Sequence, residues 1–210
     1  MNFESTNLPF LEEDIRNNFD KNVGEKLLKE TAERYSELFQ EADKATKIFQ
    51  GSEALRRHYE KTLLPTVAYY DALRANGFGQ EEALGYVREE TKKRALLNAE
   101  SNRKLARMPF SYAMYRAGVK KHMQKNFPAE GFGVEWVRND KSEVHFNMTR
   151  CVYRDETQKL SCPELCAVFC ESDIIAFGGL APKILFERAG TLGEGAPLCD
   201  FHFKKGTRHG

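Results

Sequence analysis

The sequence has no long hydrophobic run, and none of its apolar stretches approaches the roughly 20 residues that a membrane-spanning helix needs. Its opening stretch, MNFESTNLPFLEED, lacks the basic and apolar segments of a secretory signal. We therefore expect a cytoplasmic protein with no membrane partner. An excess of charge is missing too, because 32 basic and 31 acidic residues nearly cancel, and this balance argues against a nucleic-acid partner.

Several catalytic and cofactor motifs are also missing. The chain has no Gly-x-Ser-x-Gly elbow and no His-Glu-x-x-His helix, which sets aside simple serine hydrolases and zincins. Its Gly-rich stretch from Gly190 to Gly195 is predicted to join two strands, whereas a phosphate-binding loop joins a strand to a helix. We therefore expect neither a nucleotide nor any other cofactor.

Cysteine is absent from the first 150 residues, and all five cysteines lie between Cys151 and Cys199. An odd number in a chain expected to be intracellular indicates reduced thiols. A helix beginning near Pro163 would place Cys166 and Cys170 on one stripe. Zinc sites usually need a second, distant pair of cysteines, so we expect no metal and interpret Cys162 and Cys166 as core residues.

The first 130 residues show the periodicity of helices. A long amphipathic helix is predicted from Gly24 to near Gly51, and its repeat could instead be the seam of a homo-oligomer. Ser52 is a candidate N-cap for a second helix, which Pro65 should interrupt. A third helix begins at Gln80, with its stripe reaching Thr91 and a charged turn after it, and a fourth runs from Phe110 to about Gln124. The predicted inward positions of the long helix are Leu28, Ala32, Tyr35, Phe39, Ala42 and Phe49.

From Gly133 onward the hydrophobic period becomes two. The run 143–153 and the strand before it predict a hairpin, with one short helix near 163–171 and two short strands after it. The predicted fold is α+β, with an N-terminal helical bundle, residues 1–130, packed on a small C-terminal antiparallel sheet, residues 131–210.

The strand at 143–153 has an apolar face and a polar face. Alternation places His145, Asn147, Thr149, Cys151 and Tyr153 opposite the apolar residues. This polar row could be the floor of a substrate pocket, with the first three residues contacting substrate. It could equally be the solvated face of a half-exposed antiparallel sheet.

The cysteine-rich region has the residue types that nucleophilic catalysis requires. A reactive thiol needs a nearby cation or base that lowers its pKa. Cys151, Cys170 and Cys199 are the candidate nucleophiles, with Arg188 as the cation and His145 as a possible proton shuttle. Asp173 and Asp200 are the candidate bases. Arg188 could instead bind a substrate carboxylate in bidentate fashion.

Three segments of this region resemble the L-2-amino-thiazoline-4-carboxylic acid hydrolase family. They are Cys170-Glu-Ser-Asp173, the run from Phe186 to Gly195 that contains Thr191, and Cys199-Asp200-Phe201-x-Phe203. The resemblance implies a hydrolase that opens a small cyclic C–N substrate such as an aminothiazoline carboxylate. It also implies a site containing Thr191 as a further substrate contact.

Two other functions fit the same residues. One is a non-catalytic module in which the cysteines and Asp173 hold a small molecule or a metal. The other is a biosynthetic enzyme that forms or opens a ring, because a fold does not fix a reaction.

We predict that the charged residues and thiols of this region converge on one pocket. Cys199 and Asp200 are adjacent, so on a regular strand they point to opposite faces and only one could reach the pocket. We therefore expect an irregular chain at this point. The predicted pocket contains Cys151, Cys170, Asp173, Arg188, Cys199 and Asp200.

Overall fold

The computed structural model describes residues 8–45 and 52–206, and it has the predicted α+β fold. The helices are α1 (Leu8–Asn18), α2 (Lys21–Ala45), α3 (Glu53–His58), α4 (Leu64–Ala75), α5 (Gln80–Arg107), α6 (Ser111–Asn126), α7 (Val152–Lys159) and α8 (Leu165–Gly178). The strands are β1 (Phe132–Asn139), β2 (Glu143–Cys151), β3 (Ile184–Glu187) and β4 (Cys199–Lys205). The sheet begins only after the N-terminal helices, as the change of period predicts.

The chain forms two compact units, which divide between Glu90 and Thr91 inside α5. The change of hydrophobic period near residue 130 therefore marks the change from helices to strands, while the division between units lies earlier in the chain. Among the described residues, no helix is both long enough and apolar enough to cross a membrane.

The first unit contains α1 to α4 and the start of α5. Ser52 caps α3 as predicted, because its Oγ accepts a hydrogen bond from the Leu55 amide at 3.2 Å. A π-helical turn, Tyr59–Leu63, precedes Pro65, which lies at the start of α4. Pro65 has no N–H to donate, so the regular helical pattern is interrupted next to it, as predicted.

Two helical predictions need correction. The buried stripe of α2 contains Leu27, Thr31, Tyr35 and Leu38. The prediction is right at Tyr35, but Leu28, Ala32 and Phe39 each lie one position beyond the buried residue. Phe49 lies outside the described residues. The predicted turn after Thr91 is also wrong, because Thr91 lies inside α5, an unbroken helix of 28 residues from Gln80 to Arg107. Its charged residues Lys92 to Arg94 favour a helix as readily as a turn.

The second unit is built on a four-stranded antiparallel sheet with the strand order β1-β2-β4-β3. Its buried face comes from register pairs of β2 and β4: Val144 with Phe203, Phe146 with Phe201, and Met148 with Cys199. The Phe146 and Phe201 rings stack at 5.2 Å. From α8, Phe177 meets Phe203 at 5.0 Å, so this helix packs on the same face.

The strand predicted at 143–153 ends earlier than expected. Its β-branched and aromatic residues favour a strand, but α7 begins at Val152, so the predicted strand positions of Val152 and Tyr153 are wrong. Thr157 donates its hydroxyl to the Tyr153 carbonyl at 2.8 Å inside this helix. The helix predicted at 163–171 is real but longer, because α8 extends to Gly178.

Candidate active site

The side chains of Cys166, Cys170 and Asp173 lie on one stripe of α8. Their spacing of four and three residues is that of a helical face. The helix is fixed by buried apolar residues on its other positions, including Leu165, Val168 and Phe169. Cys166 is buried, whereas Cys170 is partly exposed.

The loop before β4 lies directly over these thiols. A methyl group at Gly193 would stand 3.0 Å from both the Cys166 and the Cys170 sulfur atoms. Glycine is therefore needed here for the close approach of the backbone. Cys199, at the start of β4, is buried, and its sulfur accepts a hydrogen bond from the Leu192 amide at 3.1 Å.

The thiols of Cys166 and Cys199 hydrogen-bond to the Cys170 sulfur. These two hydrogen bonds, together with the Thr191 hydroxyl and the charge of Arg188, lower the pKa of Cys170 far below that of an ordinary thiol. The same bonds and burial raise the pKa of Cys166 and of Cys199. These opposite shifts favour Cys170 as the thiolate of the cluster and its two neighbours as protonated donors.

Arg188 links the loop to α8. Its Nη1 donates to the Asp173 carboxylate at 3.0 Å, and its Nη2 donates to the Cys170 carbonyl at 2.7 Å. The guanidinium also lies 5.8 Å from the centre of the Phe186 ring and 5.7 Å from that of Phe201. Because its side chain is only 6% exposed, the geometry favours a role in holding the site together over binding a substrate carboxylate.

Asp173 has an unusually high pKa. Desolvation raises the pKa of its carboxyl group to about 7, although the charge of Arg188 acts in the opposite direction. The Asp173 side chain is still 35% exposed, so solvent can reach it. A partly exposed carboxyl group that titrates near neutral pH can act as a general acid.

Cys151 stands at the edge of this cluster, at the last position of β2. Burial raises the pKa of its thiol to about 11, and the charges of Cys170 and Asp173 act on it in the same direction. Cys151 is therefore a protonated neighbour of the site, and it is a poorer nucleophile than Cys170.

Asp200 does not face the thiols. Strand pairing is regular at this point, with Met148 opposite Cys199 and Asn147 opposite Asp200, so the predicted irregularity is wrong. The Asp200 carboxylate accepts hydrogen bonds from the amides of Ala189, at 2.8 Å, and Gly190, at 3.1 Å. Asp200 therefore caps the loop that carries Arg188.

His145, Asn147 and Thr149 also lie away from the cysteine cluster. His145 and Asn147 alternate with the buried residues of β2, so they occupy the other face of the sheet, and Thr149 is exposed at an irregularity in the β1–β2 pairing. His145 stacks on His202 at 4.6 Å, and His202 meets the Glu143 carboxylate at 2.8 Å. The structure does not bring these predicted substrate contacts to the thiols. The face is the partly solvated one of an antiparallel sheet.

Two residues of the cluster were not expected from the sequence. Cys166, interpreted above as a core residue, is buried but also hydrogen-bonds to Cys170, and its spacing of four from Cys170 was the available signal. Glu194 accepts a hydrogen bond from the Thr191 hydroxyl at 2.8 Å. The Thr-x-x-Glu spacing of a capping box indicates the neighbouring bond, in which the Glu194 amide donates to the Thr191 hydroxyl oxygen at 3.1 Å.

The described part of the chain contains no group of three or more His, Cys, Asp or Glu side chains arranged to hold a metal ion.

Residues 56–203 match the family model described as L-2-amino-thiazoline-4-carboxylic acid hydrolase. The chain belongs to this family. The matched range includes α8, the loop that carries Arg188 and most of β4, and therefore every member of the thiol cluster. Searches of curated proteins and of solved structures found no match.

Proposed function

We propose that this member of the hydrolase family opens the ring of 2-aminothiazoline-4-carboxylate or a closely related cyclic amidine, with Cys170 as the nucleophile. The observation that carries the proposal is Cys170, a partly exposed residue whose sulfur receives hydrogen bonds from two buried thiols beside Arg188. A stabilised thiolate with access to solvent is the form of cysteine that attacks carbon.

In the proposed reaction the Cys170 sulfur bonds to the ring carbon that lies between nitrogen and sulfur. The electrons of the C=N bond move to the ring nitrogen, which takes a proton from Asp173. The C–N bond of the tetrahedral adduct then breaks: its electron pair stays on the ring nitrogen, which takes a proton from the exocyclic amino group, and the lone pair of that group forms a C=N bond to the same carbon as the ring opens. Water next adds to this C=N bond, with one of its protons passing to the nitrogen. The remaining hydroxyl proton goes to Asp173 as the C=O bond forms, and the Cys170 thiolate leaves with its electron pair.

Asp173 and Arg188 have complementary tasks in this scheme. With a pKa near 7, Asp173 holds a proton in part of the molecules at neutral pH and can accept one from the attacking water in the second half. Arg188 orients Asp173 through the 3.0 Å contact and contributes positive charge beside the sulfur. Because the scheme requires reduced thiols, it favours a reducing compartment such as the cytoplasm.

The proposal is tested by incubating the protein with a panel of cyclic amidines that includes 2-aminothiazoline-4-carboxylate. Product is followed by mass spectrometry as the addition of one water molecule, and binding is followed separately by calorimetry. We expect turnover of the thiazoline carboxylate and weaker turnover of analogues without sulfur. Tight binding without turnover of any compound would replace the hydrolase with a non-catalytic binding module.

A further inference from the structure

The turn between α5 and α6 exposes three large apolar side chains. Phe110 is 85% exposed, and its sequence neighbours Met108 and Met114 are 46% and 43% exposed. The Met114 amide donates to the Phe110 carbonyl at 3.0 Å, so the two residues are one helical turn apart and lie on the same side of α6. Met108, Phe110 and Met114 are called the apolar tip below.

Phe110 is a poor choice for the fold at its position. Its φ of +59° lies in the left-handed region, which a bulky side chain rarely adopts. It stands at the N-cap of α6, yet its side chain makes no capping hydrogen bond. An asparagine adopts this backbone conformation more readily and is a preferred capping residue. Neither the backbone nor the packing of the chain therefore explains a phenylalanine here.

The segment that contains the tip is strongly basic. Residues 101–129 include seven Lys and Arg residues and no Asp or Glu, although the whole chain has 32 basic and 31 acidic residues. The acidic residue just before this segment, Glu100, pairs with Arg103 at 2.6 Å. The balanced charge of the whole chain therefore conceals a local excess of positive charge. The exposed cations are Arg103, Lys104, Arg107, Lys120, Lys121 and Lys125.

These cations stand behind the tip on both helices. Lys104 precedes Met108 by one turn of α5, so the two share a side of that helix. On α6, the exposed Lys121 follows Met114 by two turns on the same side, about 10 Å along the helix axis. Membrane-surface helices have this arrangement, because their apolar side chains enter the bilayer by about 5 to 10 Å while their cations remain at the headgroups.

We propose that the apolar tip and the cations behind it are a docking surface for an anionic lipid bilayer. Charge complementarity identifies the partner, because acidic headgroups attract the cations while Phe110 enters the boundary between headgroups and acyl chains. Single-stranded nucleic acid would attract the same cations, but its binding sites stack bases on several aromatic side chains. Here Phe110 is flanked by methionines, and the nearby Tyr112 is buried.

This inference goes beyond the proposed reaction and departs from the expectation of no membrane partner. That expectation was based on the balanced charge of the whole chain and on the lack of a spanning segment. Neither property describes a local surface, and peripheral binding needs no spanning helix.

The test is cosedimentation of the protein with lipid vesicles. One set is phosphatidylcholine alone and the other contains about one phosphatidylserine in three lipids, each at about 0.1 M and about 0.5 M salt. Phe110→Asn removes the tip and Lys121→Glu reverses one cation. The matched controls are Leu185→Gln, which removes a 41% exposed apolar side chain of β3, and Lys141→Glu, which makes the same charge change in the exposed turn between β1 and β2.

We expect the wild type to bind the phosphatidylserine vesicles at low salt, and to bind much less at high salt or to phosphatidylcholine alone. Phe110→Asn and Lys121→Glu should each weaken binding about tenfold, whereas the two controls should bind as the wild type does. Phe110→Asn should melt at the same temperature or higher, because asparagine suits the left-handed backbone. Weaker binding in an equally stable variant would exclude general damage to the fold.

The proposal is overturned if the wild type does not bind the anionic vesicles, or if Phe110→Asn binds them equally well. A lower melting temperature of Phe110→Asn would also overturn it, by giving the phenylalanine a structural role. Self-association or oligonucleotide binding that depends on Phe110, without vesicle binding, would assign the surface to a second copy or to nucleic acid instead. None of these measurements involves turnover, so this proposal and the proposed reaction can fail separately.

Discussion

Replacing Arg188 with Lys should destabilise the protein measurably. The Arg188 guanidinium uses separate nitrogens for Asp173, at 3.0 Å, and for the Cys170 carbonyl, at 2.7 Å. A lysine ammonium is a point charge and cannot reproduce this planar two-point contact. Loss of one charge-assisted hydrogen bond costs about 2 kcal/mol. For a chain of this length, that cost lowers the melting temperature by about 4 to 8 °C.

Arg150 provides a matched control for this substitution. It also binds one carboxylate, Asp155 at 3.0 Å, and one backbone carbonyl, Glu130 at 3.0 Å, but its side chain is 54% exposed. Exposed ion pairs contribute only about 0 to 1 kcal/mol, so Arg150→Lys should lower the melting temperature by at most about 4 °C. The assay is differential scanning calorimetry at low and high salt. Equal losses in the two variants, or no loss in Arg188→Lys, would refute the assigned role of Arg188.

Three further predictions test other parts of the account. Because the pKa of Asp173 is raised to about 7, its folded carboxyl group keeps a proton that the unfolded one has lost, so stability decreases with rising pH between about 4 and 7. Melting curves across that range should show this slope in the wild type and not in Asp173→Asn, and parallel slopes would contradict it. Ser52→Ala should lower the stability by about 1 kcal/mol in urea unfolding, because it removes the cap of α3, whereas an unchanged midpoint would show that the cap contributes nothing. Gly178, the last residue of α8, and Gly179, which follows it, should respond differently to substitution. A methyl group at Gly179 would overlap the Ala99 carbonyl oxygen, whereas one at Gly178 would meet nothing within 4 Å, so only Gly179→Ala should unfold at a much lower temperature.

The change of hydrophobic period was enough to predict the α+β fold, because strands with one buried face alternate and helices do not. Boundaries were harder to predict. Val152 and Tyr153 have the residue types of a strand, yet they begin α7, since a single sequence does not show where the sheet ends. The stripe of α2 was displaced for a similar reason: Leu27 and Leu28 are both apolar, and only packing decides which one is buried.

The candidate site was predictable in its residue types more than in its geometry. Strand parity correctly indicates that Cys199 and Asp200 point to opposite faces, but it cannot indicate that the strand stays regular there. The spacing of four residues places Cys166 on the same stripe as Cys170, but it does not distinguish a thiol that is only buried from one that also donates to Cys170. That distinction depends on the loop at Gly193, which reaches the sulfurs from a distant part of the chain.

The most direct test of the central claim is rapid-quench mass spectrometry of the protein mixed with 2-aminothiazoline-4-carboxylate. We predict a transient adduct that has the mass of one substrate molecule and is located on Cys170. Cys170→Ser should lose both the adduct and nearly all turnover, while Cys162→Ser, which removes another buried thiol of the same region, should retain both. An adduct on a different cysteine, or turnover by Cys170→Ser at the wild-type rate, would contradict the account.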